Sequence, residues 1–245
     1  MAILQTLLHA CGLDEQRCVA CHMPHSAAEA LPLCPDCRAA VRCARALCSR
    51  CGAPLPPLGT ESGMCALCLV NPPPWRGLYA VGPYEGLLRD LLLRAKYRAD
   101  QSACRLLGQL LAEKLDALRA DAIRPEWLVP MPLHPMRLRR RGFNQCQEIA
   151  EPVSRLFGIP RRPDLARRIV ATPHQTGLRR DGRLRNLERA FSVLPDVRGR
   201  RLLILDDTVT TGTTLRRLAH CLLQAGAAEV TAAAVAVVLP QTFAL

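Results

Sequence analysis

The spacing of apolar residues changes character along this chain. From residue 76 onward, short apolar runs alternate with stretches of helical period. Residues 76–84 are short, with aromatic and β-branched side chains, and predict a strand. Residues 87–96 and 102–119 place apolar side chains on one helical face and predict two helices. A strand is predicted at 127–132, a helix at 144–157 ending on Gly158, a buried strand at 201–205, a helix at 215–225 ending on Gly226, and a last strand at 230–239. Strands alternating with helices predict an α/β fold: a doubly wound, mostly parallel sheet. Sheets of that kind bind ligands beyond the carboxyl ends of their strands.

The first 75 residues show neither period, and cysteines punctuate them instead. Eight cysteines form four C-x-x-C pairs: Cys18/Cys21, Cys34/Cys37, Cys48/Cys51 and Cys65/Cys68. Each pair sets two thiolates on one tight turn, and two such turns complete a tetrahedral site for Zn²⁺. Four pairs make two ribbons, each with four thiolates and no open position, so the zincs are expected to be structural. Sequential pairing (18, 21, 34, 37 and 48, 51, 65, 68) is preferred; spacing leaves an interleaved pairing open. Gly52, directly after its knuckle, allows the positive φ such a turn uses. The chain has 13 cysteines, and an odd total with no secretion signal argues against a disulfide framework. Cys11, Cys43, Cys104, Cys146 and Cys221 read as small buried hydrophobes. The stiff stretch Asn71-Pro72-Pro73-Pro74 marks a boundary. Two domains are expected: a double zinc ribbon at 1–75 and an α/β domain at 76–245. As separate domains, loss of zinc is expected to spare the α/β site.

Charge adds a location. The formal net charge is +12, and residues 137–189 hold 14 basic against 5 acidic side chains. A polyanion is expected there: small-molecule phosphates or a nucleic-acid backbone. Aromatic residues make up only 4%, which speaks against base stacking on single strands; arginine contacts to the backbone stay open. No stretch approaches the roughly 18 apolar residues of a membrane span, the longest run (232–239) being strand-length. The first 13 residues lack a basic leader and read as a short amphipathic helix, so a cytoplasmic location is expected.

The sharpest motif follows the predicted strand at 201–205. Two carboxylates, Asp206 and Asp207, are followed by a loop of threonines around Gly212, and then a helix. A helix N-terminus presents unpaired N–H groups that hold phosphate. Threonine hydroxyls add donors, and Gly212 lets backbone approach the ligand. Carboxylates repel phosphate but accept hydrogen bonds from vicinal hydroxyls. Together the residues imply a ribose 5-phosphate moiety. Neither a P-loop nor a dinucleotide fingerprint occurs.

Residues 203–214 resemble the motif by which type I phosphoribosyltransferases bind 5-phosphoribosyl 1-pyrophosphate (PRPP). The resemblance implies that Asp206 and Asp207 hold the ribose hydroxyls, that Thr208, Thr210, Thr211, Gly212, Thr213 and Thr214 hold the 5′-phosphate, and that Mg²⁺ accompanies PRPP. The order of further motifs widens it. After the four cysteine pairs come Lys96-Tyr97-Arg98, Val129-Pro130-Met131-Pro132-Leu133-His134-Pro135, Arg139-Arg140-Arg141-Gly142-Phe143-Asn144-Gln145, Gln175-Thr176-Gly177-Leu178 and Arg185-Asn186-Leu187. This order resembles the ComF family along nearly the whole chain, with Ala99 standing where relatives often have glycine. That family joins a zinc ribbon to a phosphoribosyltransferase-like domain and is associated with DNA uptake in natural transformation, on the cytoplasmic side of the membrane. The resemblance implies pyrophosphate and closing-loop roles for Lys96, Arg137, Arg140, Arg141, Arg168 and Arg185, and an acceptor pocket near Asn144 and Gln145. His134 and His174 are candidate bases on position alone. It implies a phosphoribosyltransferase of unknown acceptor. The rival reading is a protein that senses PRPP without turnover, or an accessory that binds single-stranded DNA or uptake proteins, held near the inner membrane through partners.

Overall fold

A computed structural model describes residues 15–26, 30–41, 46–56, 60–116, 124–169 and 190–239. Four parallel strands form the central sheet in the order β3–β8–β7–β4: β3 (Leu78–Pro83), β4 (Trp127–Pro130), β7 (Arg201–Val209) and β8 (Glu229–Val237). Helices α4 (Gln101–Asp116) and α6 (Gln145–Phe157) pack on one face, and α7 (Thr213–Gln224) on β7 and β8 from the other. This is the doubly wound sheet expected. Burial on both faces explains the composition of β8: from Val230 to Val237 every residue is buried, half of them alanines that let helices close in. On α4, Gly108 sits where an added Cβ would meet the Ile149 carbonyl oxygen at 2.5 Å, so α4 and α6 cross nearly backbone to backbone.

Several boundaries differ from the sequence pattern. Strand β7 continues through both acids to Val209, because pairing with β8 continues as far as Val237. Residues 135–141, read only as a basic stretch, form helix α5 (Pro135–Arg141), with proline at its first turn and Gly142 closing it. Helix α6 begins one residue later than its apolar period, because Asn144 caps it: the side chain accepts from the Cys146 N–H. A small hairpin, β5 (Ala166–Arg168) with β6 (Phe191–Val193), stands between α6 and β7.

The cysteine-rich segment carries strands β1 (Glu15–Arg17) and β2 (Pro24–Ser26) and helices α1 (Pro35–Val41) and α2 (Ala66–Val70). It is not merely tethered. Cys18, Leu31, Leu33, Cys34 and Val41 belong to one hydrophobic cluster with the leucines of α4 and of α3 (Gly86–Tyr97). The knuckle around Cys48 and Cys51 lies on the free edge of β3: the Ser49 carbonyl accepts from the Leu78 N–H at 2.9 Å, and Gly52, at φ +75°, presses on Leu78 and Val237. An exposed sheet edge is thereby covered. The other knuckle is held by Arg94 of α3, which donates to the Val19 and Ala20 carbonyls at 2.7 and 3.4 Å while pairing with Asp100 at 2.6 Å.

Ala99, just past α3, adopts φ +51°, a left-handed conformation. A Cβ makes that conformation costly, and glycine would adopt it freely. Ala99→Gly should therefore raise the stability of the protein by about 0.5–1 kcal/mol, read as a higher urea midpoint with an unchanged slope.

Candidate functional site

Strand β7 delivers Asp206 and Asp207 to the carboxyl end of the sheet, and the loop 210–212 turns the chain into α7. Gly212 occupies the N-cap of α7 at φ +70°, a conformation that favours glycine. Asp206, Thr208, Thr210, Gly212, Thr213 and Thr214 line one small hollow at the helix N-terminus. The Thr211 and Thr213 hydroxyls stand 2.8 Å apart beside it. The expected ribose and phosphate residues are thus gathered at one place, with one division of labour that sequence does not show.

The two acids do different things. Asp207 is 6% exposed and has both oxygens engaged. One lies 3.2 Å from the Lys96 ammonium, and the other accepts from Gln145 Nε2 at 2.6 Å. Lys96 also donates to the Thr208 hydroxyl at 3.1 Å. Asp206 is the acid that faces the hollow. Its Oδ1 accepts from the Asp207 N–H at 2.8 Å and takes a longer contact from the Cys146 thiol at 3.7 Å. Burial, then repulsion from Asp207, pushes the Asp206 carboxyl up to about 7. The burial of Lys96 opposes its charge, yet the attraction of Asp207 outweighs it and keeps the ammonium protonated. The Cys146 thiol is pushed well up by burial and by both carboxylates, so it stays protonated.

Other expected residues fall around this centre. Lys96, Arg137, Arg140 and Arg141 line a cavity of about 480 Å³ with Tyr97, Ala99 and Phe143, and among the described residues no acid is in its wall. Arg141 stands over the Tyr97 ring at 5.7 Å and donates to Gln145 Oε1 at 3.1 Å. Arg168, on the β5–β6 hairpin, is near enough to Arg137 and Asp206 to feel both; burial and Arg137 lower its pKa against the pull of Asp206. Arg185 and His174 lie outside the described residues. Asn144 and Gln145 are buried: Asn144 caps α6 and donates to the Met131 carbonyl at 3.0 Å, and Gln145 clamps Asp207. His134 accepts the Met136 N–H at 3.2 Å as the cap of α5. Sequence reasoning missed Cys146 as a neighbour of the acids, although it directly follows Gln145. It also missed Trp75, whose ring lies against the loop, since an added Cβ at Gly212 would meet it at 3.7 Å.

The cysteines assemble as two tetrads, Cys18–Cys21–Cys34–Cys37 and Cys48–Cys51–Cys65–Cys68, with the sulfurs of each within 4.8 Å of one another. The pairing is sequential. Burial works against the Cys18 and Cys48 thiolates, but backbone N–H donors overcome it and bring them down to about 6 and about 7. Cys51 goes the other way, to about 11, burial being the largest cause and the neighbouring thiols adding to it. Four sulfurs so close cannot all ionise without a compensating cation, and the donor set fits structural Zn²⁺.

Two outcomes test this geometry. A Cys21→Ser/Cys34→Ser double variant should retain one zinc of two by native mass spectrometry; an interleaved pairing would leave none. Asp206 supplies a pH signature. An unfolded aspartate ionises near pH 3.9, whereas this one ionises at about 7, so its folded carboxylate costs stability increasingly as pH rises between those values. Asp206→Asn should raise the melting temperature, by an increment that grows from pH 5 to pH 7 and is constant above, measured without divalent metal or ligand.

Comparison with known proteins agrees with the geometry. The phosphoribosyl transferase domain family matches residues 145–241. The "DNA utilization protein YhgH" of Escherichia coli K12 is 37% identical over 216 residues, 87% of this chain and 93% of that protein. "Competence protein F" of Haemophilus influenzae is 31% identical, over 81% of this chain and 87% of its own length. Among solved structures, the glutamine PRPP amidotransferase of Bacillus subtilis aligns at 24% identity and a TM-score of 0.38, over 55% of this chain and 26% of that one. With its two cysteine tetrads, its parallel sheet and this extent of identity, the chain belongs to the ComF/YhgH family and carries a phosphoribosyl transferase domain.

Proposed function

We propose that this protein binds Mg²⁺–PRPP at the carboxyl end of β7 and transfers its phosphoribosyl group to an anionic acceptor, in a role connected with DNA uptake or utilisation. The observation that carries the reading is the hollow formed by Asp206 and the threonine loop at the N-terminus of α7. The loop amides and hydroxyls bind the 5′-phosphate, and Asp206 accepts from the ribose hydroxyls. Lys96 and Gln145 fix Asp207 behind it. Mg²⁺ arriving with PRPP would be held near the Asp206 carboxylate and would supply charge compensation for the pyrophosphate leaving group. The acceptor's lone pair forms the new bond to C1, the C1–oxygen bond breaks, and pyrophosphate departs with the electron pair. The protein's part is positioning and the stabilisation of negative charge by arginines, since His134 is spent as a helix cap and Asp206, the acid that lines the hollow, is committed in this reading to the ribose hydroxyls.

The cavity beside Lys96 bears on the acceptor. Four cations and two aromatic rings line it and, among the described residues, no carboxylate does. Such a wall suits a planar anion or the departing pyrophosphate, and it gives a neutral base few acceptors to pair with. The division into a zinc ribbon at 1–75 and a transferase domain at 76–245 is part of the same proposal. So is a location inside the cell; among the described residues no helix is long and apolar enough to cross a membrane.

One observation favours a second reading. Arg139 and Arg140 project from α5 into solvent, and two relatives bear the names of DNA utilisation and competence. A protein that binds PRPP as a signal and single-stranded DNA through these arginines would use the same surface.

Calorimetric titration of Mg²⁺–PRPP and of single-stranded DNA separates the readings. PRPP should bind, and Asp206→Ala/Asp207→Ala should weaken it by about a hundredfold or more with both zincs retained. Arg140→Ala should weaken anion binding at the cavity by about tenfold and leave zinc content unchanged. Binding of both PRPP and DNA, with no turnover of PRPP, would favour the second reading, and DNA binding without PRPP binding would sink both.

A further inference from the structure

The proposed site has a floor that neither the fold nor the family motif accounts for. Trp75 lies directly after the proline stretch, before β3 begins, and is 3% exposed. Its ring packs under the phosphate loop, within ordinary contact of where a methyl on Gly212 would sit. Arg216, in the first turn of α7, stacks its guanidinium over the same ring at 5.7 Å. The loop and the helix N-terminus that should hold phosphate therefore rest on one indole.

That indole is held from the other side by the second cysteine tetrad. Its Nε1–H donates to the carbonyl of Arg50 at 2.5 Å. Arg50 lies inside the knuckle, between Cys48 and Cys51. Its guanidinium reaches back over the connector and donates to the Arg76 carbonyl at 2.5 Å and the Pro73 carbonyl at 3.3 Å. The same knuckle gives the Ser49 carbonyl to the Leu78 N–H. Four contacts thus lock the knuckle, the connector and the start of β3 into one block, with Trp75 its only side chain against Gly212. A C-x-x-C turn keeps its shape only while its thiolates share an ion, so the direction in which the Arg50 carbonyl points depends on the metal. A buried donor deprived of its acceptor is costly, and the ring would move to recover one.

We propose that Trp75 and Arg50 are positioning residues of the phosphate loop, through which the second zinc tetrad holds the PRPP cradle in its binding geometry. The proposal rests on the PRPP reading for its ligand, but the mechanical link stands on the contacts alone. It reverses the expectation that zinc loss spares the site. It also explains what the ribbon contributes to the transferase domain. The loop needs left-handed glycine at its apex and free N–H groups, and it cannot stiffen itself without consuming the donors that phosphate requires.

The test compares Trp75→Leu, Trp75→Phe and Cys65→Ser with the parent. Amide hydrogen exchange is read by peptide, and Mg²⁺–PRPP affinity by calorimetry. In Trp75→Leu and Cys65→Ser, exchange across residues 209–215 should accelerate about tenfold and PRPP affinity fall about tenfold, with exchange in β8 and α6 unchanged. Trp75→Phe keeps an aromatic ring but loses the N–H that binds the Arg50 carbonyl, so it should behave like Trp75→Leu across 209–215, and full recovery of both readouts would overturn the link. Unchanged exchange at 209–215, or acceleration spread evenly over the core, overturns the link. Parent protein that fails to bind PRPP overturns the proposed ligand, while the exchange result still judges the link. If Cys65→Ser does not fold, Trp127→Phe leaves Trp75 as the sole tryptophan, the chain having two. Its emission should shift on chelation of the second zinc, and a silent Trp75 would count against the proposal.

Discussion

The ion pair between Lys96 and Asp207 organises the site. It joins the end of α3 to the end of β7, two elements far apart in the chain. Desolvating two charges is expensive, and the arrangement holds because no bonding capacity nearby is wasted: Gln145 takes the second oxygen of Asp207, and Thr208 accepts from Lys96. Fixing Asp207 in this way has an electrostatic consequence next door. Asp206, buried and also left beside a negative neighbour, has its carboxyl pushed up towards neutrality. One acid is clamped on both oxygens and the other faces the hollow, a division produced by packing and not by residue type.

This is also where sequence and structure part company. The alternation of strands and helices was legible because each element's burial leaves a local period. The strand end, loop and helix start around Gly212 were legible because the order of acids, threonines, glycine and helix is contained in a dozen consecutive residues. The cysteine tetrads were legible for the same reason, since pairs of ligands sit on single turns. What could not be read is whatever depends on partners distant in the chain. The ion pair of Lys96 with Asp207 could not be read, nor could the contacts of Asn144 and Gln145, which cap α6 and clamp Asp207. Helix α5 escaped notice because arginines mask its period and its stability comes from caps, Pro135 at the start and Gly142 at the end.

The arginine surplus resolves in a similar way. Several members of the basic segment have structural work. Arg162 pairs with Asp164 and Asp196 and covers the Trp127 ring at 4.4 Å, and Arg155 pairs with Glu151 one turn earlier. Those of α5 differ. Its three consecutive arginines, 139–141, diverge around the helix: Arg139 and Arg140 lie in solvent, and Arg141 turns towards Tyr97 and Gln145. With Arg137 and Lys96, Arg140 and Arg141 form a cationic wall beside the hollow at the end of β7, and an anion would complete it.

The cysteine-rich segment then has a physical place in the molecule. A four-stranded sheet leaves the edge of β3 open, and a phosphate loop must keep its amides unpaired. Both are liabilities of the transferase fold at this size. One knuckle covers the edge through Ser49 and Gly52 and braces the loop through Arg50 and Trp75. The other is gripped by Arg94, two residues before Lys96 on the same helix, so it bears on the opposite wall of the site. In each case the contact runs through a knuckle backbone carbonyl, whose direction is set by the metal-bound turn. The carbonyls leave no mark in the sequence of their own, and the Arg50 guanidinium and the bare Cα of Gly52 mark the attachment only once their distant partners are known. The spacing of the C-x-x-C pairs specifies the metal; the carbonyls they aim specify the site.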